Sequence, residues 1–95
     1  MSSDFELVHN HHERAVFAAV RDASKRYPQI GDKGMLADVA CVALNRLPPR
    51  YIRHDVDFAF FQTDRERTES ERAIAEAVEF AFGFVQARNA MRARA

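Results

Sequence analysis

The chain has 95 residues, enough for one domain, and a domain of that size buries only roughly two thirds of the surface that its unfolded chain exposes. Lys+Arg and Asp+Glu both number 14, which excludes a general DNA or anionic-membrane binder and leaves any recognition of an anion to local groups. The single cysteine, Cys41, excludes an internal disulfide framework and a four-thiolate metal site and is consistent with a reducing compartment, while no apolar run approaches the ~20 residues that cross a bilayer and Met-Ser-Ser-Asp lacks a leader's basic and apolar regions; the expectation is a cytoplasmic protein that does not span a membrane.

Residues 4–26 read as a first helix. Asp4 is placed to cap it, Phe5, Val8, His12, Ala15, Val16, Ala19, Val20 and Ala23 recur on one face, and Tyr27-Pro28 ends it. His9 and Glu13 lie one turn apart, the spacing that brings two metal ligands together. Helical His/Glu pairs are far commoner than metal sites, and His9, His11 and His12 read as ordinary surface and boundary groups, so no metal is expected. Residues 28–34 read as a loop, with Gly31 and Gly34 bracketing Asp32-Lys33. A phosphate-binding loop ends in Gly-Lys-Ser/Thr between a strand and a helix, whereas here Lys33 precedes Gly34; a nucleotide triphosphatase is rejected.

The second helix carries Leu36, Val39, Ala40, Ala43, Leu44 and Leu47 at the spacing of one buried stripe. Pro48 and Pro49 lack amide donors and restrict the residues before them, so the helix is expected to end near Leu47 at a rigid corner. Asp38 and Asn45 lie on a face beside the stripe. Each has a structural role open to it, Asp38 near the helix's positive end and Asn45 as a cap ahead of the prolines, and each a ligand role, Asn45 on a base and Asp38 positioning an arginine. Cys41 has no neighbour that would activate a thiol and reads as a small core residue. Around the corner stand Arg46, Arg50, Tyr51 and Arg53, three guanidinium groups and one ring within eight residues. That set suits an anionic, planar ligand: arginine forks onto phosphate or the edge of guanine and stacks on a base, and tyrosine stacks too.

From Arg50 to Thr63 apolar and polar residues alternate, which predicts an extended segment with a strand in its second half. A lone strand needs a partner for its backbone groups, and a two-fold copy of itself is the expected one. Asp55 and Asp57 read as a solvated face of that strand rather than an acid/base pair. Thr63-Asp64-Arg65-Glu66 and Thr68-Glu69-Ser70-Glu71 both fit the capping box, so a third helix is expected to start between Asp64 and Glu69 and run to about Arg92. Ile74, Ala77, Val78, Ala81, Phe82 and Val85 form its core stripe; Phe80 and Phe84 add a second apolar face, and Gly83 allows a neighbouring backbone close. Eight phenylalanines exceed what three helices easily hide, which favours self-association. The expected fold is mainly α: one domain over 1–95, three helices, and an extended segment after the Pro-Pro corner that pairs across a homodimer.

Asp38-Val39-Ala40 followed by Ala43-Leu44-Asn45-Arg46-Leu47-Pro48-Pro49-Arg50-Tyr51 resembles the signature of the late-competence ComFB-like family. Asn10-His11-His12-Glu13 with Val16 is similar to the family's N-terminal Asn-x-x-Glu-x-x-Val, and Ala73-Ile74 through Val78 resembles its C-terminal helix. The resemblance implies a small, dimeric, mainly helical protein linked to competence or to surface and motility regulation. It also implies, through cyanobacterial relatives described as cyclic-dinucleotide receptors, a site for cyclic di-GMP or cyclic di-AMP at Arg46, Arg50, Tyr51 and Arg53. Arg65 or Arg67 is expected as a second contributor, and Asn10, Glu13, Asp38, Asn45, Pro48 and Pro49 are expected in supporting roles. Asn10 and Glu13 are assigned hydrogen bonds to the corner or across a dimer. The zinc-holding cysteine cluster of some members has no counterpart in residues 30–35, so neither zinc nor another cofactor is expected.

Two functions follow. One is a non-enzymatic homodimeric signalling module that binds a cyclic dinucleotide and addresses an unidentified protein partner, without contacting DNA or membrane. The other is a structural dimerisation or adaptor protein of the competence machinery with no small ligand. They differ in whether the arginines converge on a pocket or splay into ion pairs. An enzyme is not expected, since no set of nucleophile, base and orienting group stands out.

Overall fold

The computed structural model describes residues 4–54, 56 and 62–94. Three helices, α1 (His12–Ala23), α2 (Lys33–Arg46) and α3 (Asp64–Arg94), pack with one another, and a two-stranded antiparallel sheet joins β1 (His9–Asn10) to β2 (Tyr51–Ile52). The chain is mainly α, as its periodicity predicts. No helix among the described residues is long and apolar enough to cross a membrane.

In α1, Val16, Val20 and Ala23 recur at i, i+4, i+7 and are buried. The helix tightens into a 3-10 turn at Ser24–Arg26 and stops at Tyr27, which precedes Pro28 and has left the helical region at φ −131, ψ 66. Tyr27 stacks on Phe82 of α3 with ring centroids 4.3 Å apart and an interplanar angle of 6°, and Ile30 plugs the core at 1% exposure.

The expected continuous helix over 4–26 is corrected. Asp4–Leu7 forms a separate 3-10 turn, and β1 lies between it and α1. Phe5 and Val8, which gave the stretch its helical period, are exposed. With no core for that face, the backbone bonds better to β2, where His9 lies opposite Ile52 and Asn10 opposite Tyr51. For Tyr51–Ile52, then, the strand partner belongs to the same chain. The strand expected in the second half of 50–63 falls mostly on residues outside the described ones, as do Asp55 and Asp57, while Gln62 and Thr63, which are described, belong to no strand.

Helix α2 begins at Lys33, inside the expected 28–34 loop. The Asp32 carboxylate accepts from the Met35 amide at 2.7 Å and caps the first turn. Val39, Ala40, Ala43 and Leu47 are buried, and Leu47 is already extended at φ −99, ψ 136 ahead of the prolines. Cys41 is exposed, which corrects its reading as a core residue: it falls one position past the buried stripe, beside a groove lined by Phe17, Ala37 and Leu44.

Helix α3 has 31 residues, about 46 Å at 1.5 Å per residue. Thr63 Oγ1 accepts from the Glu66 amide at 3.1 Å and starts it. Ala77, Val78, Ala81, Phe82 and Val85 are buried against both other helices. The alanines at 40, 43, 77 and 81 sit in this core, and side chains so small let the helices approach closely.

Candidate functional site

The Pro-Pro corner is held from the N-terminal side of the chain. The side-chain oxygen of Asn10, a residue only 9% exposed, accepts from the Arg50 amide and from the His12 amide, both at 3.2 Å. The His11 amide in turn donates to the Arg50 carbonyl at 2.6 Å. The backbone of Arg50 is therefore clamped on both its donor and its acceptor, while its side chain lines a groove. The groove has a volume of about 390 Å³, with His12, Leu47, Pro48 and Pro49 on one wall and Glu66, Glu69, Ser70 and Ala73 of α3 on the other. Tyr51, one residue on in β2, is 68% exposed.

The other two arginines point elsewhere. Arg46 lies over the Phe80 ring of α3, its guanidinium carbon 3.7 Å from the ring centroid. Arg53 pairs with Asp4 in the N-terminal 3-10 turn, Nη2 to Oδ2 3.5 Å. Arg65 and Arg67 pair along α3 with Glu69 at 3.1 Å and Asp64 at 3.2 Å. Within one chain the expected set does not close on a single pocket; of it, Arg50, Pro48 and Pro49 line the groove.

The supporting residues divide as well. Asp38 joins α2 to α3 by accepting from Arg88 at 3.1 Å, with side chains 54% and 32% exposed. Asn45 is exposed on α2 next to Arg46. Glu13 lines a separate cleft of about 260 Å³ with His9, His11, Arg14, Phe17 and Arg21. His9 Nδ1 lies 2.8 Å from the Leu7 carbonyl, and the His11 and His12 rings are 5.7 Å apart. Among the described residues no three His, Cys, Asp or Glu side chains converge as metal ligands.

Three contributors were not legible in the sequence: Phe80 beneath Arg46, Asp4 beside Arg53 and Arg88 beside Asp38. Each partner comes from a distant element, so no local spacing marks it. The aromatic run of α3 is the one signal available for Phe80.

Chemically, the corner offers a rigid backbone, one guanidinium in a groove, an exposed phenol ring beside it and, close by in sequence, a guanidinium held over a phenylalanine ring. Groups of these types have the chemistry to bind and orient a planar or anionic group.

No curated protein and no solved structure is significantly similar to the chain. The family model described as late competence development protein ComFB matches residues 9–89, a span that runs from β1 through the corner into the last turns of α3. The chain therefore belongs to the ComFB family of late competence development proteins.

Proposed function

We propose that this chain is a non-enzymatic regulatory module that binds a cyclic dinucleotide, cyclic di-GMP or cyclic di-AMP, at the Pro-Pro corner of a cytoplasmic homodimer and passes the signal to a protein partner in competence or in surface and motility regulation. The observation that carries this reading is the clamp on Arg50. Its backbone is held at both ends by β1 and the start of α1, so its side chain and the exposed Tyr51 ring leave a fixed ledge beside a groove of ligand size. A cyclic dinucleotide has two phosphates and two purines. One groove supplies one arginine, so a symmetric ligand matches two copies of the corner better than one.

A second reading, the adaptor without a small ligand, is favoured by a specific observation: Arg46 and Arg53 already have partners within the chain, and Glu66 and Glu69 stand on the groove wall facing Arg50. Isothermal titration with both cyclic dinucleotides separates the two. Micromolar or tighter binding that Arg50→Ala abolishes supports the receptor. Absence of heat with either ligand overturns it in favour of the adaptor.

A further inference from the structure

Phe17 and Arg21, one turn apart on α1, form a ridge between two hollows that the corner does not use. On one side is the polar cleft of about 260 Å³, and on the other an apolar groove of about 400 Å³ between α1 and α2. The buried Val20 and Ala40 underlie the groove, Ala37 and Leu44 line it from α2, and Phe17 stands at its edge, 41% exposed.

Among the described residues that line the groove, Arg21 alone is charged, and it is exposed. Arg53, Arg65, Arg67 and Arg88 each pair with a carboxylate, whereas no described carboxylate pairs with Arg21. The adjoining cleft sets Arg14 and two histidines beside a single acid, Glu13. In a chain whose 14 basic and 14 acidic residues cancel, a cation thus stands at the rim of an apolar trough.

An apolar stripe with a carboxylate on its flank complements those features. The trough runs between two helices, so the match is a third helix laid into it, with apolar residues at i, i+4 and i+7 and acids on the side that meets Arg21. A second copy of the chain fits less well, because a self-complementary contact needs both signs of charge on one face. A membrane also fits less well, since apolar side chains that line a trough do not project into a bilayer as those of an interfacial helix do.

We propose that the groove between α1 and α2 is the docking site for an acidic amphipathic helix of a partner protein, its apolar stripe against Phe17, Ala40 and Leu44 and its carboxylates against Arg21. This rests on the protein-partner part of the proposed function and on none of its ligand chemistry.

Cys41 is exposed, lines the groove and is the one cysteine of the chain, which makes its thiol a native reporter of occupancy. The probe is a synthetic helix of about 16 residues, about 24 Å long, with leucines at i, i+4, i+7 and i+11 and glutamates along one flank; its counterpart carries lysines in place of the glutamates. Fluorescence anisotropy of the labelled helices measures binding to the full chain without nucleotide, and the rate at which Cys41 reacts with a thiol reagent reports where they bind. The acidic helix is expected to slow that reaction and to bind about tenfold or more tightly than the lysine helix, a preference that shrinks as salt is raised. Arg21→Glu is expected to lose that preference or invert it, with an unchanged far-UV spectrum because the side chain it replaces is exposed. Absence of binding by the acidic helix, equal binding of the two helices, binding that leaves the Cys41 rate unchanged, or an Arg21→Glu variant with the wild-type preference overturns the site. Protection of Cys41 that follows the concentration of the chain itself, or added vesicles of anionic phospholipid, and not the helix overturns it in favour of a second copy or a membrane. No nucleotide is present in any arm, so a failed titration of the corner leaves this result standing, and a failed docking leaves the titration standing.

Discussion

The side-chain oxygen of Asn10 holds the amide of Arg50 at 3.2 Å, a bond between residues 40 apart, while accepting the His12 amide at the start of α1. One buried amide group thus closes the first helix and the Pro-Pro corner together.

Removing it leaves two backbone donors without their acceptor, at about 1–3 kcal/mol each when buried. Because both are only partly buried, Asn10→Ala is expected to lower stability by about 2–3 kcal/mol. Asn10→Asp keeps the acceptor and retains most of that stability. Urea denaturation measures both; an Asn10→Ala variant as stable as wild type would mean the clamp contributes nothing.

Arg50→Ala keeps every backbone bond of the clamp and is expected to change stability by no more than about 0.5 kcal/mol. The pair of variants therefore separates architecture from recognition. A large loss of stability in Arg50→Ala would assign the guanidinium to folding and weaken its assignment to a ligand.

Asp32→Ala deletes the side-chain cap of α2 and is expected to cost about 1 kcal/mol, recovered in Asp32→Ser. Thermal melts of the three proteins check the order, and equal melting temperatures for Ala and Ser would show that the cap bond is not formed in solution.

Phe82 is fully buried and stacked on Tyr27, so Phe82→Ala removes a ring that nothing else can replace. The expected loss is about 3–5 kcal/mol, a large share of the stability of a domain this small. Thermal melts followed by circular dichroism should place the midpoint of the variant far below that of wild type; a cooperative melt near that of wild type would contradict the assignment of Phe82 to the centre of the core.

The Asp38–Arg88 pair is partly exposed, and a double-mutant cycle to alanine is expected to give a coupling of about 0.2–1 kcal/mol that shrinks as salt is raised. A coupling insensitive to salt would point to packing of the Arg88 stem rather than to charge.

What the sequence determined by itself is local and periodic. The buried stripe of α2, its stop at Leu47 before two prolines, the capping box at Thr63 and the core stripe of α3 all follow from side-chain spacing and from the sterics of proline, which act within a turn or two of helix. The tertiary structure decided whatever needed two distant segments to meet. It broke the N-terminal helix at β1, because pairing with β2 gave the backbone of residues 9 and 10 a partner and the apolar period around Phe5 and Val8 had no core to bury against. It left Cys41 outside, one position past the stripe, and it sent Arg46 to Phe80 and Arg53 to Asp4 while keeping Arg50 at the groove. Proximity in sequence put those arginines on one list; only the packing of α3 and the N-terminal turn against the corner determined where each charge is satisfied, because an ion pair or a stacked ring depends on distance in space.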